Sequence, residues 1–246
     1  MRIGVLGGSF DPIHIAHLIV AEAAAEQLRL DQVCFLPAAE QLFKPQGHHA
    51  SAADRVAMLE LALQGHPKFF LDLREIERGG PSYTVDSLAS LRHDFPEDEL
   101  FLMVGADAAL DLPGWRDASR IGELAQVVAM SRAGVVGPAS PHVARSITVP
   151  SVDVSSTSAR QAVREGRSLR GLVPEVVAGY IHRYRIKPGI TGWAQVSSWR
   201  GETDTEEKIQ KRVEHDLYYI DNWSIWFDFL IIARTIMVLF KDEKAY

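Results

Sequence analysis

The sequence predicts an α/β fold built on a parallel sheet and followed by a helical extension, and three observations carry that expectation. Through about Tyr184, short apolar runs alternate with segments of helical periodicity, the pattern of βαβ units. A glycine turn, Gly7-Gly8, follows directly on the first apolar run and leads into a segment of helical pattern, a Rossmann-like arrangement. From about Arg185 the alternation stops.

The runs are Ile3–Leu6, Val33–Leu36, Phe69–Leu71, Leu100–Val104 and Val127–Met130, with a further strand-like stretch at Ile147–Val149. Cys34 lies within the second and reads as an inert core residue. Ser51-Ala-Ala-Asp54 is a capping-box pattern ahead of a helix carrying Met58, Leu59 and Leu63. Ser155 to Arg160 opens another helix, which ends at Gly166. Beyond the turn-rich Lys187–Gly192, Thr203-Asp-Thr-Glu206 caps a helix with the apolar stripe Ile209, Val213, Leu217 and Ile220. In open parallel sheets ligands sit beyond the carboxyl ends of the strands. The Gly7-Gly8 turn, the loop after Val104 and the loop before Ser155 are therefore expected to converge on one crevice.

With 246 residues, 47% hydrophobic and 24% charged, the chain can bury a full core and make one or two domains. A net charge of −6 and a pI near 5.8 give no broad basic surface, so nucleic acid is not an expected partner. A single cysteine excludes a disulfide framework. With no leader pattern ahead of the first strand, the setting expected is cytoplasmic.

The residues also bear on chemistry. Glycines admit close backbone approach, and a helix start offers unpaired N–H groups and a positive dipole end to an anion. Gly7, Gly8, Ser9 and Phe10 lead to His14 and His17, which share one face of a first helical turn. Ser156, Thr157 and Arg160 make a second anion grip. Nucleotidyl transfer asks mainly for positioning and for donors aimed at phosphoryl charge, which two such grips supply. Each residue also has a plainer reading. Either histidine alone could cap a helix or lie on the surface, Asp107 could be an N-cap, and Trp115 could be core. Arg55 and Arg132 could be solvated or structural ion-pair partners. His48-His49 lacks metal-ligand spacing, so zinc is not expected.

Taken together, Gly7 to His17, Lys44-Pro45, Arg55, Glu77 to Thr84, Gly105-Ala106-Asp107 with Trp115, Arg132, and Ser155 to Arg160 resemble the bacterial nicotinate mononucleotide adenylyltransferases. The resemblance covers residues 1 to about 184. Its most specific part is Gly80-Pro-Ser-Tyr-Thr84, which separates this family from other adenylyltransferases sharing the histidine motif. It implies a nucleotidyltransferase-type sheet and transfer of the adenylyl group of ATP to nicotinate mononucleotide, with Mg²⁺ on the phosphates. It further implies catalytic roles for His14 and His17, and ATP binding by Gly7, Gly8, Ser9, Phe10, Lys44, Gly105, Asp107, Ser156, Thr157 and Arg160. The acceptor would be held by Tyr83, Thr84, Trp115 and Arg132. Ala16 departs from the family, which has glycine there, and its added methyl is expected to crowd the adenosine.

Residues of about 185 to 246 resemble something else. Ile186-Lys-Pro-Gly-Ile-Thr-Gly-Trp-Ala-Gln-Val196, Arg200-Gly-Glu-Thr-Asp204, Asp216 to Ser224 and Lys244-Ala-Tyr246 look like the end of bacterial sugar transferases that act on a polyprenyl phosphate carrier. The Asp-Glu pair and membrane-inserted helix of that family belong upstream, where this chain instead carries the adenylyltransferase pattern. Asp242-Glu243 lies out of context. Ile225–Phe240 is apolar with only Asp228 and Arg234 charged, and falls short of the roughly 20 residues a spanning helix needs. Its helical wheel leaves a wide apolar face, so peripheral membrane contact or self-association through 223–240 is the expectation, with packing into a local hairpin as the alternative. Rival functions are a phosphopantetheine-type adenylyltransferase, a membrane-associated sugar phosphate transferase fragment, and an inactive two-part chain. A nicotinamide-linked dehydrogenase is disfavoured because Gly7-Gly8-Ser9 lacks the Gly-x-Gly-x-x-Gly spacing.

Overall fold

A computed structural model describes residues 1–40, 48–132, 140–185 and 224–241, together with Trp193, Ser197, Lys211, His215, Tyr218 and Tyr219. The chain divides into two compact units, Met1–Pro174 and Glu175–Tyr246.

The first unit is a six-stranded, all-parallel sheet. Its strands are β1 (Arg2–Gly8), β2 (Gln32–Pro37), β3 (Phe69–Leu71), β4 (Glu99–Gly105), β5 (Gln126–Arg132) and β6 (Arg145–Val149), in the order β3-β2-β1-β4-β5-β6. Every apolar run read as a strand is one. The order reverses between β1 and β4, so β2 and β4 leave β1 in opposite directions and open a crevice at their carboxyl ends. Val5 pairs with Cys34 on one side and Leu102 on the other.

Helices cover the sheet: α1 (Ile15–Leu28), α2 (Ala52–Leu63), α3 (Arg74–Arg78), α4 (Thr84–Asp94), α5 (Ala106–Asp111), α6 (Ala118–Leu124) and α7 (Ser156–Arg164). Side chains alternate across a strand, and that alternation sorts the core. Ile3, Val5, Leu100, Leu102, Val127 and Ala129 join Val85, Leu88 and Leu91 of α4 and Ile121 of α6 in one buried cluster. Gly4 and Leu6 take the intervening positions, and at Gly4 a Cβ would lie 2.5 Å from Leu30 Cδ1, so a larger residue there requires that side chain to shift. Ser51 caps α2 by accepting from the Asp54 N–H, and Ser155 caps α7 by accepting from Ser158, whose hydroxyl lies 3.0 Å from the Ser155 N–H. Gly166 follows α7 at φ +68°, a left-handed position suited to glycine.

The second unit contains α8 (Glu175–Arg185) and α9 (Ile225–Lys241). Within it the rings of Trp193 and Phe227 lie 4.9 Å apart, and the Arg234 guanidinium sits 4.7 Å above Trp193. Tyr219 Oη donates to Asp228 at 2.5 Å, so the one acidic side chain of α9 is tied down. Ile231 is buried, whereas Trp226, Phe229, Leu230 and Ile232 are exposed. Among the described residues no helix is long and apolar enough to cross a membrane. The capped segment at 203–206 and Asp242-Glu243 lie outside the described residues.

Candidate active site

Two cavities open at the carboxyl edge of the sheet, and strand alternation places them on opposite faces. The larger, about 540 Å³, takes its floor from Val5, Leu102 and Val104, the residues that face α4 and α6. Gly7, Gly8, Ser82, Tyr83, Thr84 and Trp115 complete much of its wall. The second, about 500 Å³, is lined by Leu6 and Met130 from the other face, with His14, Ala16, His17, Gly105, Asp107 and Arg132. Gly7 is next to the last residue of β1 and Gly105 is the last of β4, the strands that flank the topological switch. A Cβ on Gly105 would meet nothing within 4 Å, and one on Gly7 only the Leu36 carbonyl at 4.0 Å. Packing does not require glycine at either place, which leaves room for a ligand as the physical reason for it.

His14 and His17 stack, with ring centroids 3.6 Å apart and planes 22° apart. The His14 backbone N–H donates to His17 Nδ1 at 3.2 Å, so a neutral His17 carries its proton on Nε2. Phe10 backs His17 edge-on, centroids 5.0 Å apart. His14 is only 7% exposed and its Nδ1 has no protein partner. Burial pushes its pKa down from 6.5 to about 4, because the charged imidazolium loses its hydration. At neutral pH it is an uncharged imidazole.

The loop between β1 and α1 is held from beneath by groups that do not line either cavity. Arg55 of α2 is buried and donates to the Ser9 carbonyl at 2.8 Å. The Asp11 carboxylate accepts from the backbone N–H groups of His49 and Ala50 at 2.7 and 3.1 Å. From the far side, Arg160 Nη1 donates to the Asp11 carbonyl at 2.6 Å and Ser156 Oγ to the Pro12 carbonyl at 2.9 Å. These bonds tether the start of α7 to the histidine loop, and Val154, just ahead of α7, lines the second cavity.

Several expected roles fall differently. Phe10 is 1% exposed and held at φ +45°, a position unusual for a bulky residue, and it supports the site from the core. Ser9 is likewise buried and works through its carbonyl. Gly7 and Gly8 border the larger cavity, away from the histidines. Arg132 lies on the histidine side and not beside Tyr83, because it shares the face of β5 that carries Met130, opposite to the face of Val127 and Ala129 that meets α4 and α6. Ser156 and Arg160 spend side-chain donors on the loop, although Arg160 also reaches Thr157 Oγ1 at 3.1 Å. The N-cap of α5 is Gly105, with Asp107 in the first turn. Lys44 lies outside the described residues.

Tyr83 and Thr84 form the amino end of α4, where no side chain caps the helix. The turn is fixed from β2 by the Ala39 N–H donating to Ser82 Oγ at 2.9 Å and the Ser82 N–H donating to the Glu40 carbonyl at 3.0 Å. The larger cavity thus offers an aromatic wall beside an open helix end, and the second offers two imidazoles and an arginine. Among the described residues no group of three or more His, Cys, Asp or Glu could hold a metal.

Residues 5–162 match the model of the cytidylyltransferase-like family. The chain is 44% identical over 186 residues to a probable nicotinate-nucleotide adenylyltransferase of Thermus thermophilus, covering 76% of this chain and 99% of that protein. It is 41% identical to that of Gemmatimonas aurantiaca, covering 84% and 98%. The chain belongs to the nicotinate-nucleotide adenylyltransferase family. A solved Plasmodium falciparum nicotinic acid mononucleotide adenylyltransferase complexed with NaAD shares the fold at TM-score 0.62 and 18% identity, covering 75% of this chain and 96% of that one.

Residues 153–242 match the bacterial sugar transferase family model. That match begins upstream of the expected junction and overlaps the adenylyltransferase match at 153–162. Physically, α7 belongs to the adenylyltransferase unit, since Ser156 and Arg160 bond its first loop.

Proposed function

We propose that residues 1–184 of this adenylyltransferase transfer the adenylyl group of ATP to nicotinate mononucleotide, releasing nicotinate adenine dinucleotide and pyrophosphate for NAD biosynthesis. The observation that carries the reading is the pair of cavities on either side of the carboxyl end of β1, one aromatic beside the open end of α4, the other holding His14 and His17. ATP would occupy the second and the pyridine ring of the acceptor the first.

A phosphate oxygen of the acceptor attacks the α-phosphorus of ATP; the new P–O bond forms as the bond to pyrophosphate breaks. Charge spreads over the phosphoryl oxygens, so fixed donors lower the barrier. His17, protonated on Nε2, and the neutral His14 are those donors, with Arg132 and the first turn of α7 on the leaving group. Asp107 would meet the adenosine ribose. Mg²⁺ would enter with the triphosphate as part of the substrate. The nicotinate carboxylate would accept from backbone N–H groups at Tyr83 and Thr84, with Trp115 against the ring.

This reaction needs no membrane, which fits a cytoplasmic setting. The segment 185–246 lacks the upstream catalytic pair of the sugar transferases and is read as an accessory, contributing peripheral membrane contact or self-association through the exposed face of α9. The test of the catalytic reading is pyrophosphate release from MgATP with nicotinate mononucleotide, nicotinamide mononucleotide or phosphopantetheine. Preference for phosphopantetheine would transfer the assignment to the rival acceptor.

A further inference from the structure

Two formal charges stand in the described wall of the larger cavity, Glu75 and Arg116. They are held in opposite ways. Glu75 is 5% exposed, its Oε1 accepts the Ser87 hydroxyl at 2.5 Å, and Arg78 Nη2 donates to the same hydroxyl at 3.2 Å. Its negative charge is built into the wall. Arg116 lies over the Tyr83 ring, its Cζ 4.6 Å from the centroid. Its ion pair with Asp86 is long, 3.5 Å between side chains each about half exposed, and a pair of that kind contributes little. Contact with the ring holds the guanidinium at the cavity wall and leaves donors for a planar anion.

We infer that Arg116 is a specificity-determining residue, selecting an acceptor whose ring carries a carboxylate over one carrying a carboxamide. The inference rests on the adenylyl-transfer reading. In that reaction the acceptor phosphate must reach toward His14 and His17, so the group left beside Tyr83, Trp115 and Arg116 is the ring and its substituent. Buried Glu75 opposes an anion there, while a neutral amide is indifferent to it. Arg116 is the wall cation that reverses this balance, through a charge-assisted and bidentate contact that an amide cannot match.

The experiment is kcat/KM of the full-length chain for nicotinate and nicotinamide mononucleotides, in wild type, Arg116→Gln, Arg116→Lys and Asp86→Asn. A charge-assisted hydrogen bond is strong enough that Arg116→Gln is expected to lower the acid-to-amide ratio about tenfold, mainly through KM for the acid. Arg116→Lys keeps the charge without the fork and is expected to fall between the two. Asp86→Asn frees the guanidinium and is expected to keep or raise the ratio. An unchanged ratio in Arg116→Gln, equal losses for both acceptors, or a fall in Asp86→Asn as large as in Arg116→Gln would overturn the role of Arg116. A wild type that adenylylates neither pyridine mononucleotide would overturn the reading beneath it.

Discussion

His14 brings a buried, uncharged imidazole to the second cavity, stacked on His17. In the proposed reaction, replacing His14 or His17 with alanine removes a donor to the transferring phosphate, so kcat is expected to fall about 10²-fold or more, with little change in KM for the acceptor. Single-turnover kinetics with each variant measure this. The His14 pKa of about 4 lies below its ordinary 6.5, so folding favours the neutral ring. The stability this contributes is complete above pH 6.5 and is lost as pH falls from 6.5 toward 4, on the order of 3 kcal/mol in all. Urea unfolding across that window should show the wild type losing stability to acid faster than His14→Gln. Ala16 lines the same cavity, and Ala16→Gly is expected to lower KM for ATP at a cost in stability of up to about 1 kcal/mol. The histidines were legible from their spacing after a glycine turn. Burial of His14 was not, since it depends on elements distant in sequence.

The loop from β1 to α1 is an example of function resting on a scaffold that motifs do not reveal. Ser9 and Phe10 sit inside the recognisable glycine-histidine pattern, yet one acts through its carbonyl and the other through core packing. Arg55, readable from sequence only as a solvated or paired cation, is buried beneath that loop, within electrostatic reach of Asp11. Sequence periodicity could not find this, because the contact joins a helix to a loop 46 positions away. Arg55→Ala leaves the Ser9 carbonyl and Asp11 without their buried cation. It is expected to cost about 3 kcal/mol in denaturant unfolding and to lower kcat by misplacing the histidines. The strands themselves were plain in the sequence, as buried parallel strands are continuous apolar runs bounded by turns. The assignment of Arg132 to one cavity was not, since it depends on which helices cover each face of β5.

At the scale of the whole molecule, two family signatures share one chain, and their matches overlap across a helix that physically belongs to the first unit. The end of βαβ alternation marks a change of character near Arg185, whereas the two compact units divide between Pro174 and Glu175. The exposed apolar residues of α9 are Trp226, Phe229, Leu230 and Ile232. A face of that kind invites association, so a chain ending at Tyr184 is expected to keep its acceptor preference while losing binding to lipid vesicles or self-association. Vesicle flotation and light scattering of the two chains check this. In the proposed reaction an acceptor seated in the larger cavity attacks the α-phosphorus of ATP held in the second. The most direct measurement gives the full-length chain ATP labelled in separate reactions at the α- and γ-phosphorus, with nicotinate mononucleotide, and follows each label. Adenylyl transfer puts the α-label in nicotinate adenine dinucleotide and the γ-label in pyrophosphate; γ-label on the mononucleotide, or no transfer of the α-label, would rule it out.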